Sequence, residues 1–136
     1  MNKILRFTAV ILVICTLLAV PVFAISTDDI QPLFDNIDFV STVFTINSLG
    51  KATCMGNVAA VDESTVKVVC FLQRYENGIW VTLERWEHTA TRYARVTNVR
   101  YVARGYQYRT MVFGYLYDDD GNIAESGRAS YKVDYF

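Results

Sequence analysis

The sequence predicts an all-β protein, and three observations carry that prediction. Aromatic residues make up 14% of the 136 residues, nine of them Tyr, a bias that favours strands. From residue 38 onward, β-branched and aromatic residues run in stretches of period two, with turn residues recurring about every 10–15 positions. No sustained helical period interrupts them. Hydrophobic residues at 52% and charged residues at 20% exclude a disordered chain. The length suits one domain, since a domain takes roughly 100–200 residues.

Residues 1–24 read as a signal peptide. Lys3 and Arg6 form a positive start, Phe7 to Val20 carries no charge, and Pro21 ends the run before Val22-Phe23-Ala24. The small residues of that last triplet place the cut after Ala24. An uncleaved anchor is the competing reading, because the apolar stretch is long enough to span a bilayer. Cys15, preceded by Ile14 in mid-stretch, does not fit a lipidated cysteine. Cleavage leaves residues 25–136 with 11 basic and 14 acidic side chains, a net charge of −3. That balance gives no footprint for nucleic acid and no pull toward anionic membranes.

Residues 25–36 have no period and read as an irregular lead-in, with one helical turn near Thr27 to Ile30. Strands are expected at about Asp38–Asn47, Lys51–Val61, Thr65–Tyr75, Ile79–Glu87, Arg92–Val102, Tyr106–Tyr117 and Arg128–Tyr135. In the second, Ala52, Cys54, Gly56, Val58 and Ala60 share a face; in the third, Val66, Val68, Cys70 and Leu72 do. Asn77-Gly78 between two such runs predicts a type I′ hairpin, since both residues accept positive φ. In the fourth strand, Trp80, Thr82, Glu84 and Trp86 are expected on one face. Arg104-Gly105 and Asp118–Asn122 are further turns. Seven short antiparallel strands in residues 37–136 predict a single immunoglobulin-like or fibronectin III-like β-sandwich after an N-terminal signal helix. A closed barrel has the same periodicity.

The chain is poor in catalytic chemistry. His88 is the one His, expected in solvent between two strands, and a nucleophilic Cys would need an activating base. Cys54 and Cys70 lie on the inward faces of consecutive strands. In an exported protein that pattern reads as a disulfide, or as two buried thiols acting as small hydrophobes. Two Cys and one His at these spacings match no zinc pattern. Asp118-Asp119-Asp120-Gly121-Asn122 has its Gly in the fourth place, not the sixth place of an EF-hand loop, and reads as a hairpin turn. No phosphate loop or nucleophile elbow occurs. The expectation is a protein without cofactor or metal that is not an enzyme.

Several short pieces in order carry a family resemblance over about residues 49–136. They are Ala52-Thr53-Cys54-Met55-Gly56, Leu72-Gln73, Asn77-Gly78-Ile79-Trp80, Trp86, Gly105-Tyr106-Gln107-Tyr108-Arg109, and Glu125 through Ser130. The set resembles a family of small, secreted, single-domain proteins of Gram-positive (clostridial, gut) bacteria. Cys70 is not part of that pattern. The resemblance implies a secreted β-sandwich and brings no activity with it. Tyr108-x-x-x-Val112 is also similar to the sixth strand of fibronectin type III domains, where a Tyr packs at the sheet corner.

The remaining signal is an excess of Tyr and Trp, which prefer sites with one apolar and one wet end. Cross-strand pairing that stabilises the sheet accounts for such an excess; so does an exposed face that stacks on sugars or proteins. Trp80 and Tyr108 are expected in the core. Trp86, Tyr115 and Tyr117, flanked by Arg109, are expected at the surface as the ligand-binding face. Three functions follow. The first is a secreted or envelope-associated interaction domain for a protein or a glycan. The second is a structural protein that self-associates through an edge strand bearing Phe39, Val40, Val43, Phe44 and Ile46. The third is a small secreted enzyme or toxin.

Overall fold

Seven strands form where the sequence alternates. They are β1 (Ile37–Ile46), β2 (Lys51–Ala60), β3 (Thr65–Glu76), β4 (Ile79–Thr91), β5 (Tyr93–Tyr101), β6 (Tyr108–Tyr117) and β7 (Ile123–Val133). The structure, a computed structural model, describes residues 34–133 and 136. The predicted signal peptide, its cut after Ala24 and the turn at Thr27 to Ile30 lie outside the described residues. The strands form two sheets in the orders β1-β2-β5 and β4-β3-β6-β7, and every pairing is antiparallel. The sheets are separate, so the barrel reading is not realised.

The predicted inward faces of β2 and β3 are the core. Ala52, Cys54, Val58, Val66, Val68, Cys70 and Leu72 are fully buried. Tyr108, Val112 and Leu116 of β6 join them from the four-stranded sheet, and Val40 and Phe44 of β1 from the other. Glycines set how closely the sheets approach. A Cβ on Gly114 would lie 2.7 Å from methyl groups of both Val40 and Val58. A Cβ on Gly56 would lie 3.0 Å and 3.2 Å from methyl groups of Val112 and Val68. Valines of each sheet thus reach the bare backbone of the other, as close packing of an interior requires. Thr110 is the one fully buried polar side chain of β6, and it meets Thr42 Oγ1 at 2.8 Å. Tyr108 keeps its ring in the core while its hydroxyl donates to the Ala103 carbonyl at 2.6 Å.

Side chains close the two seams between the sheets. At one, the Glu125 carboxylate of β7 accepts the backbone N–H groups of Asp35, Asn36 and Ile37 at 2.8, 2.9 and 2.9 Å. At the other, Arg100 of β5 donates to the Leu83 carbonyl of β4 at 2.7 Å and to the Glu84 carboxylate.

Three expectations need correction. β4 continues to Thr91, so His88 lies within a strand, opposite Val68. β7 starts at Ile123, because Asp118–Asn122 is tight enough to pair the strands immediately: Asp118 Oδ1 accepts the Asn122 N–H at 2.8 Å. The face assignment of β4 fails midway. Leu72 pairs with Glu84 and Gln73 with Thr82, leaving Leu83 as one extra residue. Such a bulge inverts the side-chain phase beyond it. Trp80 and Trp86 therefore occupy opposite faces. The Asn77-Gly78 turn holds, with φ of 49° and 84°.

Two substitutions test this packing. Gly114→Ala places a methyl where the Val40 and Val58 methyls already sit. It should lower stability by about 1–3 kcal/mol, read as a lower urea midpoint with the slope unchanged. Tyr108→Phe leaves the Ala103 carbonyl without its donor and should cost about 1–2 kcal/mol. An unchanged midpoint would remove the corner hydrogen bond from the account of the fold.

Candidate functional site

The two-residue turn at Asn77-Gly78 sets Tyr75 directly opposite Trp80 on the outer face of the four-stranded sheet. Their ring centroids lie 5.1 Å apart with planes tilted by 53°. The next strand across β3 is β6, and Arg109 projects from it onto the same face as Gln73. The Arg109 guanidinium lies 4.3 Å from the Trp80 ring centroid, a cation–π distance. Its Nε donates to Gln73 Oε1 at 2.7 Å, and Gln73 Nε2 donates in turn to Thr82 Oγ1 at 3.1 Å. Gln73 thus bridges β6 to β4 and fixes Arg109 over Trp80. Partial burial lowers the Arg109 pKa from its ordinary value, yet a guanidinium stays charged.

A groove of about 410 Å³ opens beside this stack. Tyr75 and Trp80 form one wall, and Gln107, Ser130, Tyr131 and Lys132 complete it with Arg109. Tyr131 is half exposed, and Lys132 is the β7 neighbour of Arg109. The groove therefore has an aromatic wall and a rim of hydroxyl, amide and cationic groups. On the opposite face of β3, the face of Tyr108, Arg74 lies 4.4 Å over the Tyr106 ring and pairs with Glu76.

The other end of the same face carries a second aromatic row. Phe71 and Phe113 meet edge to face at 5.9 Å, and Phe113 stacks on Tyr115 at 6.4 Å. Arg85 lies 5.8 Å over Phe71. Hydrogen bonds from Lys67 and then Arg85 hold the Glu87 carboxyl below its ordinary pKa. Some of these contacts cross between strands, as Phe71–Phe113 and Lys67–Glu87 do, and others run along one strand, as Phe113–Tyr115 and Arg85–Glu87 do.

The structure splits the predicted binding set. Arg109 lies on the outer face, in the groove. Tyr115 and Tyr117 share that face but stand six and eight residues along β6, about 20 Å away or more at ~3.3 Å per residue. Trp86 does not belong: it pairs with Cys70 and packs against the core. Trp80, expected in the core, is the aromatic of the groove instead. A signal for it was present, because a two-residue turn forces Trp80 onto the face of Tyr75. Tyr131 and Lys132 had no such signal, since their placement depends on β7 joining β6.

Cys54 and Cys70 are free, buried thiols. They lie on strands of opposite sheets, not on paired neighbours. His88 is exposed. Among the described residues, no group of three His, Cys, Asp or Glu could hold a metal ion, and no helix is long and apolar enough to cross a membrane. No family model matches the chain, and no curated protein matches it.

The two tryptophans should separate in a stability measurement. Trp86→Ala removes a ring packed against the core and should cost about 2–4 kcal/mol. Trp80→Ala loses its stack with Tyr75 and Arg109 and should cost about 1 kcal/mol. Urea titration of both variants makes the comparison, and equal losses would contradict the face assignment.

Proposed function

We propose that the protein is a secreted, non-catalytic interaction domain of the immunoglobulin-like, fibronectin III-like type, which binds a glycan at the cell envelope or outside the cell. The strand orders β1-β2-β5 and β4-β3-β6-β7 support that fold type. So does Tyr108, whose hydroxyl reaches a carbonyl five residues upstream, as a tyrosine corner does. Export rests on the charged start, the apolar run and the Val22-Phe23-Ala24 site.

The single observation that carries binding is the Tyr75–Trp80–Arg109 stack on the wall of a groove rimmed with hydroxyl and cationic groups. A sugar ring offers an apolar C–H face and a belt of hydroxyls, which match an aromatic wall and a polar rim. A peptide segment with an aromatic or acidic side chain fits the same groups less completely. A self-associating protein is the second reading. It is favoured by β1 forming the edge of its sheet with Phe39 and Val43 exposed.

Co-sedimentation of the purified protein with insoluble cell wall, chitin, cellulose and mucin tests the proposal. Saturable binding to one of these is expected, with at least a tenfold loss for Trp80→Ala and for Arg109→Ala. Tyr117→Ala should bind as the parent does. No binding to any of the four would overturn the glycan reading, and concentration-dependent oligomers without glycan binding would favour the second.

A further inference from the structure

The register between the layers brings the two core cysteines together. Cys54 and Gly56 point inward from β2, and Val68 and Cys70 point inward from β3. These strands are not hydrogen-bonded to each other; they face across the core from opposite sheets. A Cβ on Gly56 would meet Val68 Cγ2 at 3.2 Å and both Val112 methyls at 3.0 and 3.1 Å. Val112 is the direct cross-strand partner of Cys70. A Cβ on Gly114, the partner of Val68, would meet Val58. Stepping along β2 from Val58 to Gly56 therefore moves the contact in the four-stranded sheet from Gly114 toward Val112. The next step in the same direction is Cys54 on one layer and Cys70 on the other.

Stacked sheets ordinarily lie about 10 Å apart, and a disulfide needs Cα atoms roughly 4.4–6.8 Å apart. Gly56 removes one layer of side chain beside Cys54, and Ala52 keeps the other side small. Both conditions favour close approach at that point. Both thiols are fully buried. Burial pushes Cys54 up to about 12, with a further rise from the nearby Cys70, and pushes Cys70 up to about 11.

We propose that Cys54 and Cys70 form a disulfide joining the two sheets when the chain folds in the presence of a disulfide oxidant such as oxidised glutathione. One cysteine thiolate attacks the oxidant's disulfide, forming a mixed disulfide and releasing one thiol. The second cysteine, deprotonated, attacks the protein sulfur of that mixed disulfide and releases the second thiol. One S–S bond forms and one breaks, and the two protein thiols pass two electrons and two protons to the oxidant. Closure belongs to folding. In the finished fold both thiols are protonated at neutral pH and closed off from a reagent, whereas the thiolate is the reacting species.

The test refolds the full-length protein carrying Cys15→Ala, so that Cys54 and Cys70 are its two thiols, from denaturant with oxidised glutathione, beside a refolding with excess dithiol. A non-reducing digest read by mass spectrometry should give a linked Cys54–Cys70 peptide pair, lighter by two hydrogens than its parts. The bridged protein should have a higher urea midpoint than the reduced one. Cys54→Ala and Cys70→Ala, which leave a small apolar side chain, should fold and lack the linked pair. Folded dithiol protein exposed to the same oxidant should bridge at least tenfold more slowly. Refolded protein of native spectrum that yields only free thiols or glutathione adducts would overturn the proposal. Bridging of the folded protein at the refolding rate would overturn its assignment to folding.

Discussion

The closeness of the two sheets is the constraint on which the rest of this structure depends. It is set by glycines of one layer lying against valines of the other: Gly56 under Val68 and Val112, and Gly114 under Val40 and Val58. Glycine in a strand is costly, because it surrenders more chain entropy and packs no side chain. Here that cost is offset by contact between methyl groups and backbone. With the layers this near, a register slip would drive a valine into a valine. The same closeness lets Thr110 donate to the Thr42 hydroxyl, which itself donates to the Met55 carbonyl.

Given that spacing, the edges of the layers are within reach of side chains, and two carboxylates use it differently. Glu125 takes three backbone N–H groups that no strand partner would otherwise hold. Glu84 instead pairs with an arginine that also binds a backbone carbonyl. The first seam is a cap on a chain segment entering the fold, and the second is a tie between two strand edges. The bulge at Leu83 serves the second tie, since it turns the Leu83 carbonyl and Glu84 toward Arg100. The same bulge turns Trp86 toward the core, while the hairpin register alone sets Trp80 on the outer face beside Tyr75.

Much of the fold was legible because its signals are local. The inward faces of β2 and β3 follow from alternation alone, and Asn77-Gly78 announces its own turn. The extent of β7 was not legible, because Ile123 to Ser126 gain strand geometry only by pairing with β6. The phase of β4 was hidden for a related reason. One inserted residue leaves the composition of a strand unchanged and reverses every side chain after it. Half of the candidate site shared that fate. Arg109 could be read from the chain, while Trp80 was expected in the core and Trp86 at the surface, the reverse of where they lie. The pairing across the hairpin, which sets Trp80 against Tyr75, was the better guide. Which strands face each other across the core depends on contacts distant in sequence, and so the cysteines read as neighbours when they are opposites.

The position of Glu125 also fixes the direction of the outermost strands. It lies at the start of β7 and holds the residues that lead into β1, so these two strands run the same way on neighbouring edges. The chain enters β1 beside Val61, whose N–H donates to the Asn36 carbonyl. It leaves β7 toward Phe136, which sits at the far end against Gly50 and is hydrogen-bonded to Gly105 and Tyr106. Entry and exit therefore lie at opposite ends of the sandwich. Tension between them would run along the strands, and the rungs of the β1–β2 and β6–β7 ladders would share the load in shear instead of opening one at a time.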